Sequence, residues 1–189
     1  MEPFAYLSVL TSIVLALGIA RILSGLGRLL QARGHFKLYW VHLLWALNVF
    51  LYLTLNWWIL YRWQGQKEWT FFLFLFVLLS PTVDYLLSVL LFPDPLEEGA
   101  DLKLHFYANH RWFFILAALL PPIDFLDTSL KGWAHLIAQG LIYPISLTVW
   151  FLLIIVAAVT RREWFHKFFA VFFLLYLLVF IGINLRVLN

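Results

Sequence analysis

Apolar positions in this chain run on for longer than any water-exposed helix or strand requires. Six stretches stand out: Phe4–Gly27, Leu38–Tyr61, Trp69–Phe92, Tyr107–Leu130, Trp133–Val159 and Phe168–Leu188. Each reaches the roughly 20 mainly apolar residues that a helix needs to cross the hydrocarbon of a bilayer. A β-barrel wall alternates with a period of two, and runs such as Phe71–Leu79 do not. The pattern predicts an all-α polytopic membrane bundle of six transmembrane helices with short loops, a single domain over residues 1–189. The longest loop, Pro93–Phe106, opens with Asp94-Pro95-Leu96-Glu97. An acid at the N-cap, a proline at the first helical position and a glutamate at N3 predict a short cytoplasmic helix there.

Composition agrees with this reading. The chain is 64% hydrophobic, 20% aromatic and 12% charged, with a mean hydropathy of +0.90; a soluble domain is about 45–50% apolar and about 25% charged. There is too little polar surface to cover a core in water, which excludes a soluble enzyme. No cysteine is present, so disulfides, thiolate metal sites, iron–sulfur clusters and cysteine nucleophiles are excluded too. Gly18-Ile19-Ala20 resembles a signal-peptide cleavage site, but the preceding segment holds Glu2 and neither Lys nor Arg. A signal peptide needs a basic start, so the first span is expected to be retained.

Charge predicts the orientation. One side collects Arg21, Arg28, Arg33, Lys37, Lys103, Arg111, Arg161, Arg162 and Lys167, nine in all, against four on the other, Arg62, Lys67, Lys131 and Arg186. Short loops rich in Lys and Arg stay in the cytoplasm, which places both termini outside. Tryptophans mark the boundaries, Trp40, Trp112 and Trp164 on the inner side and Trp57, Trp58, Trp63, Trp69 and Trp133 on the outer. The net charge of +3 then reflects topology and attraction to anionic lipid, and no basic face suited to nucleic acid exists. The general resemblance is to small bacterial membrane proteins, which implies a bacterial inner (plasma) membrane. The expected partners are the lipid bilayer and, through the uniformly apolar sixth span, a second copy of the chain.

Intramembrane polar residues are costly and mark candidate sites. In the first span Gly18, Arg21, Gly25 and Arg28 fall within about 80° of helix, and Ser12, Ala16, Ala20 and Ser24 form a small-residue ladder on another side. Small residues on two faces suit a central helix. In the second, His42, Trp45, Asn48, Tyr52 and Asn56 share an arc of about 120°, a stripe that must face protein or water. Interhelical hydrogen bonding accounts for its two asparagines. The third carries Ser80, Asp84 and Ser88 at i, i+4 and i+8, beside Pro81 and Tyr85. Asp84 lies about 12 Å and Arg21 about 10 Å from the inner ends of their spans, so the sequence predicts that they pair. Pro121-Pro122 interrupts the fourth span, and Asp124 and Asp127 follow. Such a break either lines a cavity or ends the span and leaves both acids in an outer loop. The fifth adds His135, Gln139 and Tyr143, then Pro144; the sixth is apolar until Asn184 and Arg186.

These residues sort into an inner layer of Arg21, His42, Asn48 and Asp84, and an outer one of Asp124, Asp127, His135, Gln139 and Arg186, with an apolar band between. Two vestibules around a constriction are a permeation pattern. No cofactor or catalysis is expected: His42 is the only histidine well inside a span, and HExxH, a Gly-x-Ser-x-Gly elbow, a P-loop and a deep lysine are all absent. Asp94, Glu97, Glu98 and Asp101 suggest a cation site, although helix-start chemistry accounts for most of them. The residues best suited to a transport site are Arg21, His42, Asn48, Tyr52, Asn56, Ser80, Asp84, Ser88 and Asp124, in a channel or transporter for a proton, ion or small solute. A non-catalytic membrane scaffold and a lipid- or quinone-binding sensor built around Arg21 and His42 draw on the same polar groups.

Overall fold

The computed structural model describes residues 3–31, 35–66, 68–96 and 99–184, leaving aside the side chains of 133–135 and 184. The fold is an all-α bundle in which six helical segments are long and apolar enough to cross a membrane. They are α1 (Pro3–Gln31), α2 (Trp40–Ile59) with a 3-10 turn at Leu60–Trp63, α3 (Phe71–Leu91), the pair α4 (Leu102–Ala117) and α5 (Leu120–Leu130), α7 (Ile142–Val159) and α8 (Glu163–Asn184). A short helix, α6 (Trp133–Ala138), precedes α7.

Several element boundaries differ from those the apolar pattern predicts. No short helix starts at Asp94: residues 93–96 and 99–101 are irregular. The acid that begins a helix is Asp101, which accepts from the backbone N–H groups of Lys103 and Leu104 at 2.9 and 3.0 Å, while Asp94 is engaged by Arg21 at 3.0 Å. Glu97 and Glu98 lie outside the described residues. The fifth span shortens to Ile142–Val159 because Gly140, at φ +68°, turns the chain sharply after α6. The sixth begins at Glu163, whose carboxylate meets Lys103 at 2.7 Å and Lys167 at 2.9 Å; residues 185–189, Arg186 among them, lie outside the described residues.

Pro121 and Pro122 supply no backbone N–H, so the α4 ladder relaxes at Ala118 and Leu119 before α5 resumes. The chain does not leave the bundle there; α5 continues to Leu130.

Antiparallel packing sets the two ends. Leu7 packs with Trp63 and Val77 at the end that carries the start of α1, here termed the N-terminal end. At the opposite end, residues 35–37 are tied to 99–102 by three backbone hydrogen bonds of 2.7–3.1 Å. The last turn of α3 leaves carbonyls without helical partners. Arg21 donates to that of Phe92 at 3.5 Å, and His105 donates to that of Leu90 at 3.1 Å.

The central helix is α2, which packs against α1, α3, α4 and α8. The small-residue ladder of α1 contributes one helix contact only at its first member, where Ser12 accepts from the Trp57 indole of α2 at 3.0 Å; Ala16, Ala20 and Ser24 are exposed. The packed face is instead Leu7, Thr11, Leu15, Gly18, Ile22 and Gly25. Its aliphatic residues supply bulk, and its glycines admit Leu53 and Phe92. Nor does α8 face only lipid. Its His166, Phe169, Ala170 and Leu177 are buried.

A Cβ at Gly18 would lie 2.6 Å from Leu53, and one at Gly25 would lie 2.4 Å from the Phe92 ring, whereas one at Gly27 would meet nothing within 4 Å. Overpacking of this kind costs about 1–3 kcal/mol. Gly18→Leu and Gly25→Leu should each lower the unfolding midpoint in detergent accordingly, with Gly27→Leu close to wild type. Equal midpoints for all three would show that α1 does not pack on α3 through this face.

Candidate functional site

The polar groups predicted along α2 and α3 converge on one feature, a cleft of about 60 Å³ that enters from the N-terminal end between α1, α2, α3 and α5. Tyr52 and Asn56 come from α2, Ser80 and Pro81 from α3, Asp124 and Asp127 from α5. Two of its walls carry prolines. Pro121-Pro122 lies where the helix is interrupted at Ala118 and Leu119, whereas α3 runs on through Pro81, which removes one backbone donor from its ladder.

The mouth is charged. Asp127 accepts from the indole of Trp63 at 2.9 Å and from Lys131, and the Lys131 ammonium lies 5.0 Å from the Trp63 ring centroid. Deeper in, Asp124 accepts from the Tyr143 hydroxyl at 2.9 Å, and that hydroxyl meets Thr128 at 2.7 Å. The break at Pro121-Pro122 thus puts both acids on a cavity wall.

Directly behind the cleft sits Asp84, 0% exposed. Asn56 donates its amide to Asp84 Oδ2 and also approaches the Ser80 hydroxyl at 3.4 Å. Asp84 Oδ1 has no protein partner, nor does the Thr11 hydroxyl in the cleft wall. A carboxyl in hydrocarbon surroundings costs at least about 2.5–3.5 kcal/mol unless it is satisfied. The amide of Asn56 supplies one hydrogen bond of the several a carboxylate accepts.

Asp84 does not pair with Arg21. Counting depth along a helix does not determine which face a side chain occupies, and Asp84 turns toward α2. Arg21 extends instead toward the opposite end of the bundle, where Asp94 and the Phe92 carbonyl meet it; long cationic side chains reach for an interface in this way. The predicted inner layer therefore separates. Asn48 donates to the Ala170 carbonyl of α8 at 2.9 Å, the interhelical hydrogen bond expected of it, and Ser88 donates back to Tyr85 at 2.6 Å. His42 lies among the rings of Phe92, His105 and Phe106.

Of the predicted outer layer, Asp124 and Asp127 line the cleft. Tyr143 joins them through Asp124. Gln139 sits at the exposed α6–α7 corner. The side chains of His135, Trp133 and Asn184 lie outside the described residues, as do Arg33, Lys67 and Arg186. Beyond Asp84, Trp45 packs on Phe113, Phe114, Phe169 and Phe173 with ring centroids 5.2–5.6 Å apart. This aromatic layer closes the bundle beneath the cleft.

Past it is a histidine cluster that the sequence pattern does not reveal. His110 and His166 are buried, their ring centroids 5.7 Å apart, and His42 lies 5.9 Å from His105. Spans expected to begin at Tyr107 and Phe168 leave His105 and His166 outside and His110 at an edge; α4 and α8 begin earlier and bring all three into the bundle. The available signal is the shared helical face of Phe106, Tyr107, His110 and Phe114. Among the described residues no group of three or more His, Asp or Glu side chains is placed to hold a metal ion. Asp94 and Asp101 of the suggested cation site meet Arg21 and Lys37 instead.

No family model, curated protein or solved structure matches this chain.

Leaving a buried hydrogen-bonding partner unsatisfied costs about 1–3 kcal/mol, so Asn56→Leu should destabilise the protein by that amount. Exchanging the two residues, Asn56→Asp with Asp84→Asn, re-forms the bond in reverse and should recover most of the loss. A double variant as unstable as the two single losses added together would show that these side chains do not pair.

Proposed function

We propose that this membrane protein is a small transporter or channel for protons or small cations, with Asp84 as the group that receives the proton or cation. The observation that carries the reading is a fully buried carboxyl, half-satisfied by Asn56, at the closed end of a polar cleft. Among the described residues three carboxyls, those of Asp84, Asp124 and Asp127, stand in and behind this cleft, against the Lys131 ammonium and the Arg62 guanidinium whose charge also acts on Asp124. That balance favours cations over anions. A proton is the simplest species for a carboxyl at the depth of Asp84 to hold.

The asymmetry of the path supports transport further. Trp63, Asp127 and Lys131 line the cleft toward the N-terminal end, and the Trp45 ring layer lies on the far side of Asp84. A helix interrupted beside a polar site, as between α4 and α5, is a usual construction of alternating-access proteins. Pro81 and the Pro121-Pro122 pair are where the walls have the fewest backbone bonds to lose in a rearrangement. On the nine-to-four distribution of Lys and Arg between the loops, the cleft faces outside together with both termini.

The scaffold reading is favoured by one observation, the Asn48–Ala170 bond that ties α2 to α8 with no evident solute contact. A quinone near His42 has little room, because the cavity there is about 10 Å³ and small-molecule sites run to about 300–1,000 Å³.

Proteoliposomes loaded with a pH-sensitive dye test the proposal. Wild-type protein should conduct protons down an imposed gradient, and Asp84→Asn, which retains shape and hydrogen bonding, should lower that flux by about a hundredfold, the low end of what a positioned proton-transfer group contributes. Wild type without flux of protons or alkali cations, indistinguishable from Asp84→Asn, would leave the scaffold.

A further inference from the structure

On the far side of the aromatic layer, the last turn of α3 and the adjoining parts of α2 and α4 enclose a second cavity, of about 10 Å³. That is the space of one water molecule. Its polar lining is His42, Trp45, Asn109 and His110. His42 is 1% exposed and Trp45 5%, yet neither ring nitrogen of His42 nor the indole Nε1 of Trp45 has a protein partner.

This is an unusual concentration of unmet polar atoms, since buried donors and acceptors are almost always paired with protein or ordered water. With hydrocarbon around the bundle, loss of those bonds costs more than it does in a water-exposed fold. The indole nitrogen can only donate, whereas a neutral imidazole donates from one nitrogen and accepts at the other. One water can serve both residues, accepting from Trp45 and bonding one of the two nitrogens of His42.

The neighbouring imidazoles are oriented by backbone carbonyls. His105 Nε2 meets the Leu90 carbonyl, His110 Nδ1 that of Tyr107 at 2.8 Å, and His166 Nε2 that of Thr160 at 2.9 Å. A carbonyl only accepts, so each of these nitrogens donates, and in a neutral ring the other nitrogen is left to accept with its lone pair. His105 uses that lone pair to accept from Asn109 at 3.3 Å. On His110 it is the nitrogen not bonded to Tyr107. His42 alone is held by no carbonyl.

We propose that this cavity binds one water between His42, Trp45 and His110, and that His42 is the proton-accepting group across the aromatic layer from Asp84. The proton-relay half of this proposal rests on the transport reading; the water site does not. In the relay His42 takes at its unprotonated nitrogen the proton that Asp84 gives up when the helices around the aromatic layer move, and it releases the one on its other nitrogen to the cavity water. The water passes one of its own to His110, so protons change places among existing lone pairs and no other bond is made or broken. Among the described residues the ring and cavity groups facing His42 carry no opposite charge, so a proton on it is held only in passing. From α4 come His105 and His110, while α3 presents Leu90, Leu91 and Phe92. The nearest cation beyond them, Arg21, is paired with Asp94.

Two measurements on full-length protein in lipid decide it. In ¹⁵N-labelled protein, with His42 assigned by its loss in His42→Gln, wild-type His42 should show magnetisation transfer from water. An imidazole without such transfer would overturn the water site. In proteoliposomes His42→Gln, which keeps hydrogen-bonding capacity but does not titrate, should lower proton flux by about a hundredfold while retaining the wild-type unfolding midpoint. Undiminished flux in His42→Gln would overturn the relay. Should His42→Gln misfold, His42→Asn is the second variant, judged by the same flux. Wild type without any flux would remove the relay together with the transport reading, and the water signal would then judge the cavity by itself.

Discussion

The hydrogen bond from Asn56 to Asp84 is the contact around which the rest of this bundle is arranged. It joins α2 to α3, and it stands where the polar stripe of α2 meets the part of α3 that carries Pro81. A carboxyl without that amide would face hydrocarbon or packed aromatic rings, and neither gives a carboxylate anything to accept from. Position follows from this need. Once Asn56 and Asp84 face each other, Ser80 falls beside the amide, Pro81 faces the cleft, and α5 closes the remaining wall with Asp124 and Asp127.

The two ends of the bundle solve different problems. At the N-terminal end, charge is gathered around a cavity, with Lys131, Asp127 and Trp63 locked at its mouth. At the opposite end, charge closes helix termini and loops. Arg21 and His105 take up carbonyls at the end of α3, Asp101 caps α4, and Lys103 reaches across to Glu163. Ionisable residues at one end therefore bound a path, while those at the other fasten the structure. The aromatic layer between them has little room for a solute, so passage requires the helices around Pro81 and Pro121-Pro122 to move.

Much of this was legible in the sequence, and the reason is physical. A bilayer imposes a fixed length of apolar helix, so the spans can be read from length alone. The stripe from His42 to Asn56 was readable as protein-facing because lipid penalises it. Angle and depth on one helix are calculable, but which neighbour that face meets is not. Arg21 and Asp84 were therefore matched by depth, although Asp84 turns to α2 and Arg21 finds Asp94. The same limit hid the packed face of α1: the Ser12–Ser24 ladder and the Gly18–Gly25 face both suit close contact, and only the second meets Leu53 and Phe92. The histidine cluster was missed for a different reason. Its members come from α2, α4 and α8, and no single helix carries enough of them to show a pattern.

The account rests on Asp84 exchanging its proton directly with the cleft side, and with the other side only when the helices rearrange. Infrared difference spectroscopy of vesicles with uniformly oriented protein, comparing wild type with Asp84→Asn, isolates the Asp84 carboxyl band while pH is changed on one side at a time. The account predicts that this band responds at once to pH at the N-terminal end of the bundle, and only at the rate of proton flux to pH at the other. A band that responds equally fast from both sides, or from neither, would contradict it.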